Sequence, residues 1–154
     1  MGGFEIDGGS FTAAESGIYL GSGGAAYLRN ATLTFTGDRL GGFNWNASNT
    51  SAVVDSVTIR VLGVGSCGVW LPSANTTFTA TRFDIESAHL GIDNCAGSVT
   101  LTDGVVTTLG NNAHGLYVSR EYGISASIKA TRVNIDAQGD GAVGVLGSVR
   151  KVLS

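Results

Sequence analysis

A glycine followed by an apolar residue recurs at nearly regular intervals along most of this chain, and this spacing restricts the possible folds more than any other feature. Four of the five intervals are nearly equal, and the last, from Gly115 to Gly144, is the longest. An internal period of roughly 20–50 residues is typical of solenoids, in which each structural unit stacks on the next. The copies begin at Gly17-Ile18, Gly42-Phe43, Gly68-Val69, Gly91-Ile92, Gly115-Leu116 and Gly144-Val145.

Two further sets of short apolar segments precede the glycine repeat. Every segment alternates apolar with polar or small residues, which is the pattern of a strand with one buried face. The sequences from Ala80 to Ile85 and from Ala130 to Ile135 are near copies, two periods apart. The third and shortest set comprises Phe4–Ile6, Ala52–Val54, Val99–Leu101 and Ile124–Ile128.

Short strands that recur at this period predict an all-β chain folded as a parallel β-helix, a solenoid of about six coils of ~25 residues. A sandwich or barrel would need hairpin signals every ~8–12 residues, which the chain lacks. Residues 1–154 are expected to form a single domain. Pro72, the only proline, is expected in a turn because strand interiors require every backbone amide.

Stacking of equivalent segments predicts two columns of inward-facing side chains. Burying each such side chain contributes about 1.5–3 kcal/mol before chain entropy is subtracted. The glycines are expected to provide positive φ angles or close backbone approach. The first predicted column is Ile18, Phe43, Val69, Ile92, Leu116 and Val145, and the second is Leu33, Val57, Phe83, Val105 and Val133.

Composition excludes several classes of protein. The chain is 43% hydrophobic and 14% charged, so it has enough apolar surface to fold. Its net charge of −3 provides no electrostatic footprint for nucleic acid. The sequence as given shows no signal peptide and no membrane-spanning apolar stretch. Because neither end shows a polar cap, we expect a segment of a longer β-helix, with end-to-end self-association as an alternative.

The cysteines and histidines give no clear metal or redox site. Cys67 and Cys95 lie in adjacent coils but five positions apart relative to the repeating glycine, about 16 Å along a strand. A disulfide needs Cα atoms within ~7 Å, so the register favours two thiols, although a bent loop leaves a bridge open. His89 and His114 are also offset and have no ligand set around them, so no metal and no cofactor are predicted.

Asp84 and Glu86 alternate on one predicted strand, which would place them ~6.6 Å apart. That distance is compatible with a paired acid and base of a carbohydrate-active β-helix enzyme, a lyase or hydrolase. In neighbouring coils the same columns are expected to hold Thr58 with Arg60, and Val106 with Thr108. We therefore predict no catalytic residue and keep the enzyme as the alternative hypothesis.

A candidate partner-binding surface lies on the outside of the predicted helix. Two positions after the repeating glycine, Tyr19, Trp70 and Tyr117 occupy alternate coils of one outward column, about 9.6 Å apart. Exposed aromatic residues are favoured anchors of recognition surfaces, although they also suit half-exposed strands. The long last interval of the repeat accommodates a loop with Arg120 and Tyr122, which is either a recognition loop or a neutral insertion.

The segments Gly97–Thr108 and Gly110–Val118 resemble the repeat of pertactin-like autotransporter passenger domains, and Ala130–Ile135 with Gly139–Val145 resembles the next rung. The resemblance implies a right-handed β-helix exported by a Gram-negative bacterium through an outer-membrane barrel of the parent chain. It implies a location at the cell surface or in the medium. The expected function is therefore a non-enzymatic passenger segment, an adhesin or virulence-associated surface that binds a host protein or glycan, or a stalk. A purely structural spacer is a further alternative.

Overall fold

The computed structural model describes residues 2–15, 17–39, 41–45, 47–119 and 125–148. Within these ranges the chain forms short β-strands separated by turns, and no helix there has the length and hydrophobicity needed to span a membrane. In chain order the strands are β1 (Gly3–Asp7), β2 (Ser10–Ala13), β3 (Ile18–Leu20), β4 (Ala25–Arg29), β5 (Thr32–Phe35), β6 (Gly41–Trp45), β7 (Ser51–Asp55), β8 (Thr58–Val61), β9 (Cys67–Leu71), β10 (Thr77–Thr81), β11 (Asp84–Ser87), β12 (Leu90–Asn94), β13 (Ser98–Thr108), β14 (His114–Ser119), β15 (Ser127–Ala137) and β16 (Val143–Ser148).

The strands pair in parallel with their equivalents one coil away, which confirms the predicted β-helix. Sheet 1 has the order β1-β4-β7-β10-β13-β11-β8-β5-β2, and β15 adds to β13. Sheet 2 has the order β16-β14-β12-β9-β6-β3. Sheet 2 therefore contains six stacked rungs, so the chain makes about five turns from the first rung to the last.

The repeating glycines form a column on the inner side of sheet 2. A Cβ added to Gly68 would lie 2.5 Å from Cγ2 of Ile85 in sheet 1 and 2.6 Å from the carbonyl oxygen of Gly91. A Cβ at Gly115 would likewise overlap Cγ2 of Ile135. None of these three glycines has a positive φ. Close approach of the sheets, rather than the left-handed backbone conformation, therefore explains the repeat.

The first predicted core column is present in full register. Ile18 pairs with Phe43, and the series continues through Val69, Ile92 and Leu116 to Val145. The four central side chains are at most 3% exposed, whereas Ile18 is half-buried and Val145 is 63% exposed. The rings of Phe43, Trp45 and Phe78 pack together with centroids 5.6–5.7 Å apart.

The second predicted core column was wrong in register. Leu33 stacks on Ile59 rather than on Val57. Val105 pairs with Asp84 and Asn134, so the buried position belongs to Val106 beside it. One observed inward column is Leu33, Ile59, Ile85, Val106 and Ile135. The other lies two residues earlier along each strand and is Ala31, Val57, Phe83, Gly104 and Val133.

Unequal rung lengths explain the misplaced Val105. The rung that runs from Ser51 to its partner Thr77 is longer than the next one, which runs from Thr77 to its partner Ser98. The turn after β12 is short because buried Asn94 closes it, donating from Nδ2 to the Gly97 carbonyl at 2.8 Å and accepting from the Gly97 amide at 2.7 Å. A period of fixed length therefore misplaces the strand that follows.

The other short strands are largely as predicted. The segments Phe4–Ile6, Ala52–Val54 and Val99–Leu101 lie in β1, β7 and β13. In the fourth, β15 begins only at Ser127, and Ile124 lies outside the described residues. Pro72 lies in the turn between β9 and β10, as expected.

A column of residues with left-handed backbone conformation bends sheet 1 along its middle. Non-glycine residues in this conformation cost roughly 1–2 kcal/mol each, so their side chains need compensating contacts. Arg132 binds the Asp103 carboxylate with two hydrogen bonds, of 2.5 and 2.8 Å, and Arg82 donates to Ser56 at 3.1 Å. The column comprises Gly8, Asn30, Ser56, Arg82, Asp103 and Arg132.

Candidate interaction surface

The outward column predicted on sheet 2 is present in the structure. Tyr19 pairs with Asn44, which pairs with Trp70, and the series continues through Asp93 and Tyr117 to Leu146. Tyr19 is 57% exposed, and the other members are half-buried. Because adjacent parallel strands lie ~4.8 Å apart, the three aromatic residues repeat every ~9.6 Å along the solenoid axis.

A second column lies beside the first on the same side of the sheet. It consists of Gly41, Cys67, Leu90, His114 and Val143. A Cβ added to Gly41 would lie 3.4 Å from Cβ of Trp70 and 3.5 Å from Cβ of Asn44, which fixes its direction outward. Leu90 is only 8% exposed but lies outside the main core cluster, so neighbours on the outer face cover it. We call these two columns the aromatic face.

The aromatic face contains polar atoms without protein partners. Among the described residues, the buried Oδ1 of Asn44 and the buried Nδ1 of His114 have no hydrogen-bond partner. The His114 ring also contacts the Tyr117 ring, with centroids 5.8 Å apart. A buried polar group left without a partner costs about 1–3 kcal/mol. This face therefore retains unused hydrogen-bonding capacity beside its aromatic rings.

A shallow depression of about 230 Å³ opens at the middle of the aromatic face, where Arg39, Cys67, Trp70 and Asp93 line it. Burial, and then the neighbouring Asp93 carboxylate, raise the pKa of the Cys67 thiol to about 12. The Cys95 thiol donates to Oδ1 of Asp93 at 3.5 Å. Cys67 and Cys95 are thiols rather than a disulfide, in agreement with their register.

The other candidate residues do not join this face. Glu86 forms an ion pair with Arg60 at 3.7 Å on sheet 1. The next coil places Val105 and Thr107 beside Asp84 and Glu86, which corrects the expected Val106 and Thr108.

The two histidines, to which no metal was assigned, and the two loop residues are the remaining candidates. His114 pairs with Leu90, so His89 is displaced by one position, and no group of three or more His, Cys, Asp or Glu side chains is placed to hold a metal in the described ranges. Arg120 and Tyr122, proposed as loop contacts, lie outside those ranges.

Sequence reasoning missed two surface features. The first is the set of charged residues Arg82, Asp103 and Arg132 along the bend of sheet 1, which we call the charged ladder. A side-chain hydrogen bond from Arg132 lowers the pKa of Asp103. The second is an apolar corner where Leu62, Val64 and Leu109 are exposed. The opposite charges of Asp103 and Arg132, one coil apart, were a usable signal for the ladder. The corner had none, because apolar residues in a turn resemble core residues in sequence.

Comparison with known proteins adds no family. No protein-family model, curated protein or solved structure matches the chain. The β-helical fold rests on the observed strand register, and the pertactin-like family rests on the sequence resemblance alone.

Proposed function

We propose that the chain is a non-enzymatic β-helical rod that acts outside the cell as an interaction surface, with the aromatic face as its binding region. The observation that carries the proposal is the alignment of Tyr19, Trp70 and Tyr117 in one outward column. Aromatic side chains provide large contact areas with little loss of conformational entropy, and they are enriched at binding hot spots. A rigid stack of rungs holds such anchors at fixed spacing.

The proposed setting is the surface of a Gram-negative bacterium or its medium, where the rod would be a pertactin-like autotransporter passenger joined to an outer-membrane barrel. Its support is the observed β-helix together with the repeat resemblance around Gly97–Val118. The expected partner is a host protein or a glycan. The stalk or spacer alternative requires the same rod but no binding at the aromatic face.

The test compares alanine substitutions of aromatic residues on sheet 2, which carries the aromatic face, with one on sheet 1. Trp70→Ala and Tyr117→Ala remove anchors of the aromatic face, and Tyr27→Ala removes an outward aromatic of sheet 1 that is 39% exposed. Binding of the labelled chain to epithelial cells and to immobilised matrix proteins is measured after circular dichroism has shown that each variant folds. We expect at least a tenfold loss of affinity for the first two variants and little change for the third, because hot-spot truncations cost about 2 kcal/mol or more. Equal binding by all variants would place the partner elsewhere on the chain, and no binding by the unaltered chain would favour the spacer.

A further inference from the structure

Aromatic and polar side chains alternate along the aromatic face at the rung spacing. Asn44 lies between Tyr19 and Trp70, and Asp93 lies between Trp70 and Tyr117. A ligand that matches this column must therefore present an apolar surface every ~9.6 Å and hydrogen-bonding groups between. It must also be extended and regular along the solenoid axis.

An extended β-linked polymer of hexose sugars has these properties. Each pyranose ring carries a patch of C–H groups on its face, which packs on an aromatic ring, and hydroxyl groups around its rim. Successive rings in such a chain are turned over, so the same ring face returns once per disaccharide. That repeat is close in length to two rungs of this solenoid, and each second sugar would meet one aromatic residue.

The polar groups of the face fit sugar hydroxyls. Hydroxyls both donate and accept, and the buried Oδ1 of Asn44 and Nδ1 of His114 lack protein partners within the described residues. Both atoms are buried, so each side chain would have to rotate for its polar atom to reach a hydroxyl above the face. The depression beside Trp70 lies between Asn44 and His114 along the stack and offers a sugar ring additional contact area.

The charges indicate a neutral polymer. Asp93 and Arg39, which border the same depression, carry opposite charges. The two columns of the aromatic face contain no lysine or arginine that would bind the carboxylates of an acidic glycan. Uncharged hydroxyls therefore suit this surface better than uronic acids or sulfated sugars.

We propose that the aromatic face binds a neutral, extended β-linked glycan that lies parallel to the solenoid axis and packs on Tyr19, Trp70 and Tyr117. This inference rests on the proposed function, since it specifies the chemistry of the partner for that surface. The whole chain is tested by retention on insoluble cellulose and chitin, and by calorimetric titration with cello-oligosaccharides. Amylose is the control for linkage, and carboxymethylcellulose, which keeps the β-linked backbone and adds carboxylates, is the control for charge.

We expect retention on cellulose or chitin and no binding to either control. Cellohexaose, which is long enough to span all three aromatic residues of the column, should bind at least tenfold more tightly than cellobiose, which spans one. Trp70→Ala and Tyr117→Ala should each lower the affinity at least tenfold, and Tyr27→Ala should not. Trp70→Tyr retains a ring and should retain most of the binding, which separates loss of the platform from misfolding.

Each other outcome overturns a defined part of the inference. Binding that does not depend on Trp70 or Tyr117 would place the glycan elsewhere on the chain. Loss of retention on all β-linked polymers, together with Trp70-dependent binding to cells, would reject the glycan and leave the proposed function standing. Absence of both kinds of binding would reject both.

Discussion

Replacing Gly68 by alanine tests whether the glycine column exists because sheet 2 lies close to sheet 1. The new Cβ would lie 2.5 Å from Cγ2 of Ile85, and the methyl group would have to retreat by roughly 1 Å to reach an ordinary contact of about 3.5 Å. The carbonyl oxygen of Gly91, at 2.6 Å, belongs to the neighbouring strand, so moving it strains the backbone of the next rung.

Overpacking of this kind costs about 1–3 kcal/mol or more, while the lower entropy of the unfolded chain returns roughly 0.4–1 kcal/mol. We therefore expect a net loss of about 2 kcal/mol, which lowers the melting temperature by roughly 4–8 °C in a chain of this size. The substitution Ile85→Ala removes the methyl contact but leaves the carbonyl, so it should relieve only part of the strain in the double variant.

Urea denaturation followed by circular dichroism measures the loss of stability, and hydrogen exchange locates it along the stack. Gly144→Ala is the matched control, because its Cβ would meet only Cγ2 of Ile135 at an ordinary 3.7 Å. This control should leave stability unchanged or raise it slightly. If Gly68→Ala proved as stable as Gly144→Ala, the close approach of the sheets would not be the reason for the repeat.

Three further predictions concern other parts of the molecule. Phe83→Ala should lower the free energy of unfolding by about 3–5 kcal/mol in urea denaturation, and Gly104→Ala should destabilise less in that background because the ring that crowds position 104 is gone. The pKa of Asp103, lowered by Arg132, should return toward its ordinary value in Arg132→Gln when followed by NMR. Because the pKa is lower in the folded chain than in the unfolded one, the stabilisation from this pair is present at neutral pH and is lost as the pH falls through the lowered pKa. Cys67, whose pKa is raised to about 12, should resist alkylation by iodoacetamide at pH 8.5 until denaturant is added, as measured by mass spectrometry. Rapid labelling of the folded chain would contradict the raised pKa.

The repeat period was sufficient to predict sheet 2 but not sheet 1. Glycine marks every rung of sheet 2, so residues counted from it, such as Val69 and Trp70, fall in the correct columns. In sheet 1 no residue type recurs at the same position of every rung. The turns between Ser87 and Ser98 are also shorter than those of the preceding rung. Alternation alone cannot detect a slip there, because a strand read one position out of register still alternates.

The bend of sheet 1 and the polar details of the aromatic face also escaped prediction. Arg82 and Arg132 adopt a left-handed conformation that arginine seldom adopts, and their contacts with residues one coil away compensate for it. Whether Oδ1 of Asn44 and Nδ1 of His114 find a partner in the described part of the chain depends on side-chain positions that spacing does not specify. The aromatic column itself could be predicted from the sequence, because it depends only on the register of sheet 2.

The absence of side chains along the Gly68–Gly91–Gly115 line has a consequence for how such a molecule can diversify. With the interior so narrow at this line, a guest molecule has no room to enter between the sheets, and an insertion there would push the walls apart. Selection can alter the outward positions of each rung separately, since each rung touches only its neighbours. New specificities can therefore arise on the exterior by exchanging single side chains, while the scaffold beneath stays constant.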